Sequence, residues 1–411
     1  MLRVRHSRHQ WAVGHGFFHT ASVSINRNRF CYVYDCGTQA SVELINNNVD
    51  QFCKNEKTAV ISDSAKKTEI DMVVISHFHV DHMKGIPHLM KHFHIRRLVI
   101  PYLSQDSQIV ALFQLASMAF ENQETWKSLS LLVVDSENWA KGFGSDTEII
   151  RVKHEEGGNQ TQPLQNDNGW SIPSKAGSMS DADQITVFNT KCPVWAFKFY
   201  CSEDSTNTNQ LLKALAKAFP DLPKGEQLIK IMLANLQDDN WIHTNWEKLK
   251  GCFKTISKNP NTTSLSMFSG PDLHYIVDLS FQLNLPRWNF FSLLSRDQHR
   301  CIGWLGTADA KLKGDMKFSM FEKHFGHLLE YVDTVTIPHH GSREDFNPRL
   351  ADVGSRQVIT SDYSIDPKNN HPASEVIQSI LANHGQPHIV TMDIKTELVE
   401  QYDIRFNWDT I

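Results

Sequence analysis

The chain has 411 residues, 40% of them hydrophobic and 21% charged, with a formal net charge of -5. That length allows one large domain with an insertion, or two domains. The slight acidity excludes a general nucleic-acid coat but leaves room for a local basic groove.

Seven cysteines without a CxxC pair point to reduced thiols in a cytoplasmic protein rather than to a disulfide framework. The basic N-terminus has no apolar run behind it and does not read as a signal peptide. No stretch reaches the roughly 18 apolar residues of a membrane span, and no repeat of fixed period occurs.

In chain order, residues 11–37 read as two strands joined by a hairpin at Asn26-Arg-Asn-Arg29. Gly14-His15-Gly16 suits a tight turn, and Asp35-Cys36-Gly37 ends the second strand. His15 and His19 could reach the rim of a site, but a structural role is the favoured reading for both. A helical stretch from Ser41 to Phe52 is followed by a polar linker from Asn55 to Lys67. The apolar strand Met72 to Ser76 then runs straight into His77-Phe-His-Val-Asp-His82. The chain has 21 histidines, so chance clusters are commoner than usual. Even so, three imidazoles and a carboxylate in six residues behind a strand form a ligand density that core packing does not require. In an extended loop alternate residues face the same way. His77 and His79 can therefore share one metal, while Asp81 and His82 serve a second. Lys84-Gly85 opens a helix with Ile86, Leu89, Met90 and Phe93 on its apolar side. His88 and His92 share another face of it, read as solvated. Arg96 to Pro101 is the next strand.

Residues 105–257 fit a two-layer core poorly. Gln108 to Ser128 reads as helix, Leu131 to Val134 as strand, and His154 to Asp183 as a long irregular loop. Val194 to Tyr200 is an alternating aromatic strand, and Asn209 to Ser257 reads as two or three helices broken at Pro220 and Pro223. Residues 135–257 are expected to contain an insertion over the active-site mouth. The aromatics from Trp170 onward are assigned to core rather than to base stacking. The core resumes at Asn259 to Phe268. Cys301 to Ala310 is a strand ending in Asp309, and Val332 to Ser342 another ending in His339-His340-Gly-Ser. A third, Arg356 to Ser361, leads to Asn369-Asn-His371-Pro372, followed by a helix from Ala373 to His384 and a strand from His388 to Asp393.

The His-x-His-x-Asp-His block resembles the signature of the metallo-β-lactamase superfamily, whose αββα sandwich carries one or two metals at one edge. With Asn-Thr-Thr-Ser-Leu-Ser, Gly-Thr-Ala-Asp-Ala, Pro-His-His-Gly-Ser and Asn-His-Pro, it further resembles the soluble hydrolase domain of bacterial competence (DNA-internalisation) proteins. The likeness covers roughly residues 10–104 and 258–400. It implies an α+β fold of αββα type with a large, mainly helical insertion. Residues 1–104 and 258–411 would form the two halves of the core, with 105–257 supplying a core element and the insertion. Asp35 would orient a metal-binding histidine. His77 and His79 would hold one ion. Asp81, His82 and one of His339 or His340 would hold the other, and Asp309 would bridge. The family's third histidine on the first metal has no clear counterpart. His154, His243, His371 and Asn261 are the candidates.

The expected cofactor is a pair of divalent ions, zinc first, with manganese or iron also compatible with a nitrogen and carboxylate ligand set. Asp81, Asp309 and His371 are the expected catalytic residues. Ser342, Arg343, Lys84 and His371 are candidates for phosphate contacts or proton delivery. The resemblance implies a phosphodiesterase or nuclease acting on nucleic acid or another phosphodiester. A protein partner could meet residues 105–257. Two alternatives stand beside this: an amide, lactam or small-ester hydrolase of the same fold, and a non-catalytic metal-binding subunit of a defence-type complex.

Overall fold

The computed structural model describes residues 2–26, 28–59, 67–119, 122–155, 165–166, 170–171, 177–189, 192–203, 206–255, 263–271, 276–285, 288–292, 301–365 and 370–406. Two large sheets face each other and helices cover both outer faces. The first sheet runs in the order Ser178–Ser180, Glu148–Lys153, Arg97–Pro101, Met72–Val74, Asn28–Cys36, Phe18–Ile25, Leu2–Gln10, Leu398–Phe406, Ile276–Leu285 and Trp288–Ser292. The second runs Gln386–Val390, Arg356–Thr360, Val332–Thr336, Gly303–Gly306, Thr263–Pro271, Cys192–Glu203, Gln184–Asn189, Trp170–Ser171 and Gln165–Asn166.

The strands near the site are largely buried because both their faces are covered. In Asn28–Cys36, Cys31 and Val33 pack against the helices, while Phe30, Tyr32 and Tyr34 fill the space between the sheets. Val73 faces the helices, and its neighbours Met72 and Val74 face the opposite sheet. Trp195, Phe197, Leu265, Met267 and Trp304 complete the inter-sheet layer from the second sheet. The Tyr32 hydroxyl meets Ser269 Oγ across it at 2.8 Å. On the far side, helices Asp315–Phe325 and Ser374–Ala382 cover Leu305, Val335 and Ile359.

Several elements differ from the sequence expectation. Leu131 to Val134 is not a strand; it is the last turn of helix Gln123–Val134. Trp126, Leu129, Leu132 and Val133 recur at helical spacing and bury on one side, and Asn122 caps the helix by accepting from the Thr125 N–H at 3.1 Å. The basic N-terminus is strand Leu2–Gln10, pairing on both sides. Part of the range read as a loop from His154 to Asp183 forms strands, of which Ser178–Ser180 pairs in parallel with Glu148–Lys153. Within 105–257, strands Glu148–Lys153 and Cys192–Glu203 belong to the two sheets themselves. The helices Thr206–Ala218, Glu226–Asn235 and Asp239–Phe253 pack with Gln105–Ala119 in the outer layer over the first sheet. Among the described residues, no helix is long and apolar enough to cross a membrane.

Met72–Val74 and its parallel neighbours in the first sheet, and Gly303–Gly306, Val332–Thr336 and Arg356–Thr360 in the second, deliver loops to one edge of the sandwich. Ligand-type side chains that follow strand ends are thereby gathered from segments hundreds of residues apart.

Candidate metal centre

His77 and His79 follow the strand Met72–Val74, and Asp81 and His82 sit in the single-turn helix Val80–Met83. Gly37 lets this turn approach. A Cβ there would lie 2.5 Å from the Asp81 carbonyl carbon, so only glycine admits the two backbones at this distance. Asp309 comes three residues after Gly303–Gly306, and His339-His340 follow Val332–Thr336. Asp35, Ala308, His339 and His340 all carry positive φ, at 57°, 47°, 48° and 56°. Backbone held in this left-handed region by non-glycine residues costs energy and clusters where side chains must be aimed.

The side chains converge on Asp309. Its Oδ2 lies 3.3 Å from His77 Nε2, 3.9 Å from His79 Nδ1 and 3.9 Å from His339 Nε2, and its Oδ1 lies 3.6 Å from His82 Nε2. Three ligand groups result: His77, His79 and Asp309; His82, Asp309 and His340; and His15, Asp81 and His340. Asp309 is common to the first two, and His340 to the last two.

The other ring nitrogens are tied back. His82 Nδ1–H donates to Asp35 Oδ2 at 2.7 Å. The same carboxylate accepts from the Ser76 N–H and hydroxyl, both at 2.7 Å. With its proton committed there, Ser76 Oγ accepts from His77 Nδ1–H at 2.9 Å. His340 Nδ1–H donates to the Thr360 carbonyl at 2.8 Å, and His339 Nδ1–H to Asp345 at 2.6 Å. In all four rings the tie leaves Nε2 as the inward atom, the tautomer that metal-ligating histidines adopt. His79 is reversed: Nε2 rests against the Gln114 amide at 2.6 Å and Nδ1 faces Asp309.

The residues fit a divalent ion on two grounds. His77 Nε2, His82 Nε2 and Asp81 Oδ1 are buried and make no hydrogen bond, which is costly unless something else satisfies them. The donor set is imidazole and carboxylate without thiolate, suited to zinc and to harder first-row ions. The electrostatics agree. Burial opposes ionisation of Asp309, but His339, His77 and His82 outweigh it and hold the carboxyl well below its ordinary value. Burial lowers the basicity of His82 and His339. Asp35 nonetheless pulls His82 up to about 9, and Asp309 with Asp345 pulls His339 up to about 9. Protons on these rings balance the carboxylates, a role that a divalent cation fills equally well.

His15 stands inside the cluster rather than in a purely structural position. Its ring centroid is 3.8 Å from that of His340 and 6.0 Å from that of His371. His371 also faces His339, with ring centroids 5.7 Å apart. It sits at the mouth rather than within a three-ligand group. His154 follows strand Glu148–Lys153, and its Nδ1 bonds Asp181 at 2.9 Å. His243 is exposed on helix Asp239–Phe253, in the outer helical layer. Neither joins one of the three ligand groups around Asp309 and His340. Asn261 lies outside the described residues.

The Ser342 hydroxyl accepts from the Glu344 N–H, Lys84 Nζ donates to the Ala40 carbonyl at 2.6 Å, and Arg343 is exposed beside Glu344 and Glu375. Sequence reasoning missed Ser76, Gln39, Gln114 and Asp345. Gln39 Nε2 donates to Asp81 at 3.0 Å. None of the four lies in a ligand-type motif, so only proximity identifies them.

The family comparison covers the N-terminal part of this site. Residues 15–106 match the model of the Metallo-beta-lactamase superfamily. The matched stretch includes His15, Asp35 and the His77–His82 block. A search of curated proteins finds none that matches the chain.

Proposed function

We propose that the protein is a dinuclear-metal phosphodiesterase, with nucleic acid as its leading substrate class. The observation that carries this reading is Asp309, shared between the His77–His79 and His82–His340 groups. One carboxylate between two ligand groups is the arrangement that lets two ions act on one phosphoryl centre. Bound divalent ions supply a water of lowered pKa and a positive field for the charge that develops during in-line displacement.

The chain's own residues do the rest. Asp35 holds Ser76 and His82 in place, and Ser76 in turn holds His77. Gln39 and His340 fix Asp81, and Gln114 packs against His79. His371, at the mouth between His15 and His339, is positioned to give a proton to the leaving oxygen. The buried walls of the site exclude bulk water from the reacting centre.

The test is elemental analysis of the purified protein beside Asp309→Ala, with turnover of a chromogenic phosphodiester and a chromogenic lactam. Fewer ions per chain in the variant than in the parent, and cleavage of the phosphodiester alone, is the expected result. Lactam cleavage would move the assignment to amide hydrolysis. Metal content unaffected by the substitution would remove the bridge and the mechanism with it.

A further inference from the structure

On the outer helical face, away from the Asp309 cluster, a second ligand group is assembled. His88 and His92 lie one turn apart on helix Ile86–His92, and Asp50 faces them from helix Val42–Ala59. His88 Nε2 is 2.9 Å and His92 Nε2 3.2 Å from the same atom, Asp50 Oδ1. The two rings meet edge to face with centroids 4.5 Å apart. The three ligand atoms lie within 4.8 Å of one another. Their side chains are 22%, 36% and 40% exposed for His88, His92 and Asp50, so an ion can enter and keep water on its open positions.

We propose that Asp50, His88 and His92 form an accessory binding site for a zinc-type divalent ion, separate from the Asp309 centre. Histidines four residues apart on a helix point the same way and chelate one ion, the geometry that helical zinc motifs use. A carboxylate from a second element completes a two-imidazole, one-carboxylate set. Burial, with His88 alongside, lowers the His92 pKa and keeps that ring neutral and able to ligate. The ion joins two helices, and one of them directly follows the His77–His82 turn. Its effect is to clamp the helix Ile86–His92, and with it the base of that turn, to Val42–Ala59.

The experiment is zinc titration of chelator-stripped protein by calorimetry, with bound metal counted after dialysis. It compares the parent, His88→Gln/His92→Gln, Asp50→Asn and Asp309→Ala. The double variant should bind one ion fewer than the parent and lose part of the zinc-induced rise in Tm. It should unfold at the parent's temperature in chelator and keep its activity. Asp50→Asn should weaken that one equivalent about tenfold or more. Asp309→Ala should keep it. Equal stoichiometry and equal zinc-induced Tm shifts in the parent and the double variant overturn the proposal. Loss of one equivalent only in the double variant, with Asp309→Ala binding like the parent, would sustain this site while removing the dinuclear reading.

Discussion

Asp35 shows how much a single buried carboxylate can organise. It accepts from the Ser76 amide, the Ser76 hydroxyl and His82 Nδ1, and so sets both the turn and two imidazole tautomers. Asp35→Asn keeps the shape but offers only one acceptor oxygen and brings an N–H₂ that meets donors. We expect zinc affinity to fall about 10–100-fold with the fold retained, measured by equilibrium dialysis beside circular dichroism. Unchanged affinity would mean that His82 does not need its carboxylate. Gly37 makes a complementary case. Gly37→Ala places a methyl carbon 2.5 Å from the Asp81 backbone. Overpacking of this kind costs about 1–3 kcal/mol. Because the displaced atoms carry Asp81 and His82, metal binding should weaken along with Tm. A variant with parental Tm and parental metal affinity would show that the turn can move aside.

At the scale of elements, strand ends made the metal-ligand blocks legible. A buried strand that runs into polar ligand-type residues leaves a linear signature, and His77 to His82, Asp309 and His339-His340 all have it. Helix Gln123–Val134 did not, because its last turn, Leu131-Leu-Val-Val134, carries apolar residues without a gap. A continuous apolar run of this length fits a strand or a buried helix equally well. The neighbours decided: Leu129 and Trp126, one and two turns earlier, share its buried face. Leu132 is fully buried there, so Leu132→Ala should cost about 2–5 kcal/mol in denaturant unfolding. This packing also supports helix Gln105–Ala119, which carries Gln114 to His79. A loss below about 1 kcal/mol would indicate that the helical layer is loosely coupled to the sheet.

Across the whole molecule, the two chain ends are joined by charge. Arg8 of strand Leu2–Gln10 and Arg356 of the second sheet both bond Glu400 of strand Leu398–Phe406, which also accepts from Thr334 at 3.0 Å. Arg8 reaches the Ile302 carbonyl at 2.9 Å as well, and so bridges the two sheets. Burial tends to raise the Glu400 pKa, but Arg8 and Arg356 prevail and hold it at about 2, against an ordinary value of 4.5. A carboxyl with a depressed folded pKa stabilises the fold fully above its unfolded pKa and loses that contribution as pH falls. Stability should therefore decline between about pH 4.5 and pH 2. Glu400→Gln should flatten that decline, as read by Tm against pH. Glu400→Ala leaves two buried guanidinium groups facing each other and should cost about 3–5 kcal/mol at neutral pH. An acid limb of the same slope in parent and Glu400→Gln would locate the acid sensitivity elsewhere.

The linear order of residues by itself determined the local facts. It set which runs are apolar enough to be strands, where glycine is needed, and which ligand-type residues follow strand ends. These depend on neighbours a few positions away, and the periods of helix and strand record them. It could not determine which distant segments meet. Gly14-His15-Gly16 was visible as a turn, but nothing local places His15 beside His340. His154 and His243 stood at plausible sequence intervals, yet neither joins the ligand groups around Asp309. Strand Leu2–Gln10 alternates, but its buried face includes His6 and Arg8, and nothing local supplies the Glu400 carboxylate that pairs with Arg8. Closure of the two sheets brings the ends of parallel strands to one edge and a carboxylate to a buried arginine. Only the tertiary structure decides such contacts, because their energy depends on separation in space and burial rather than on separation along the chain.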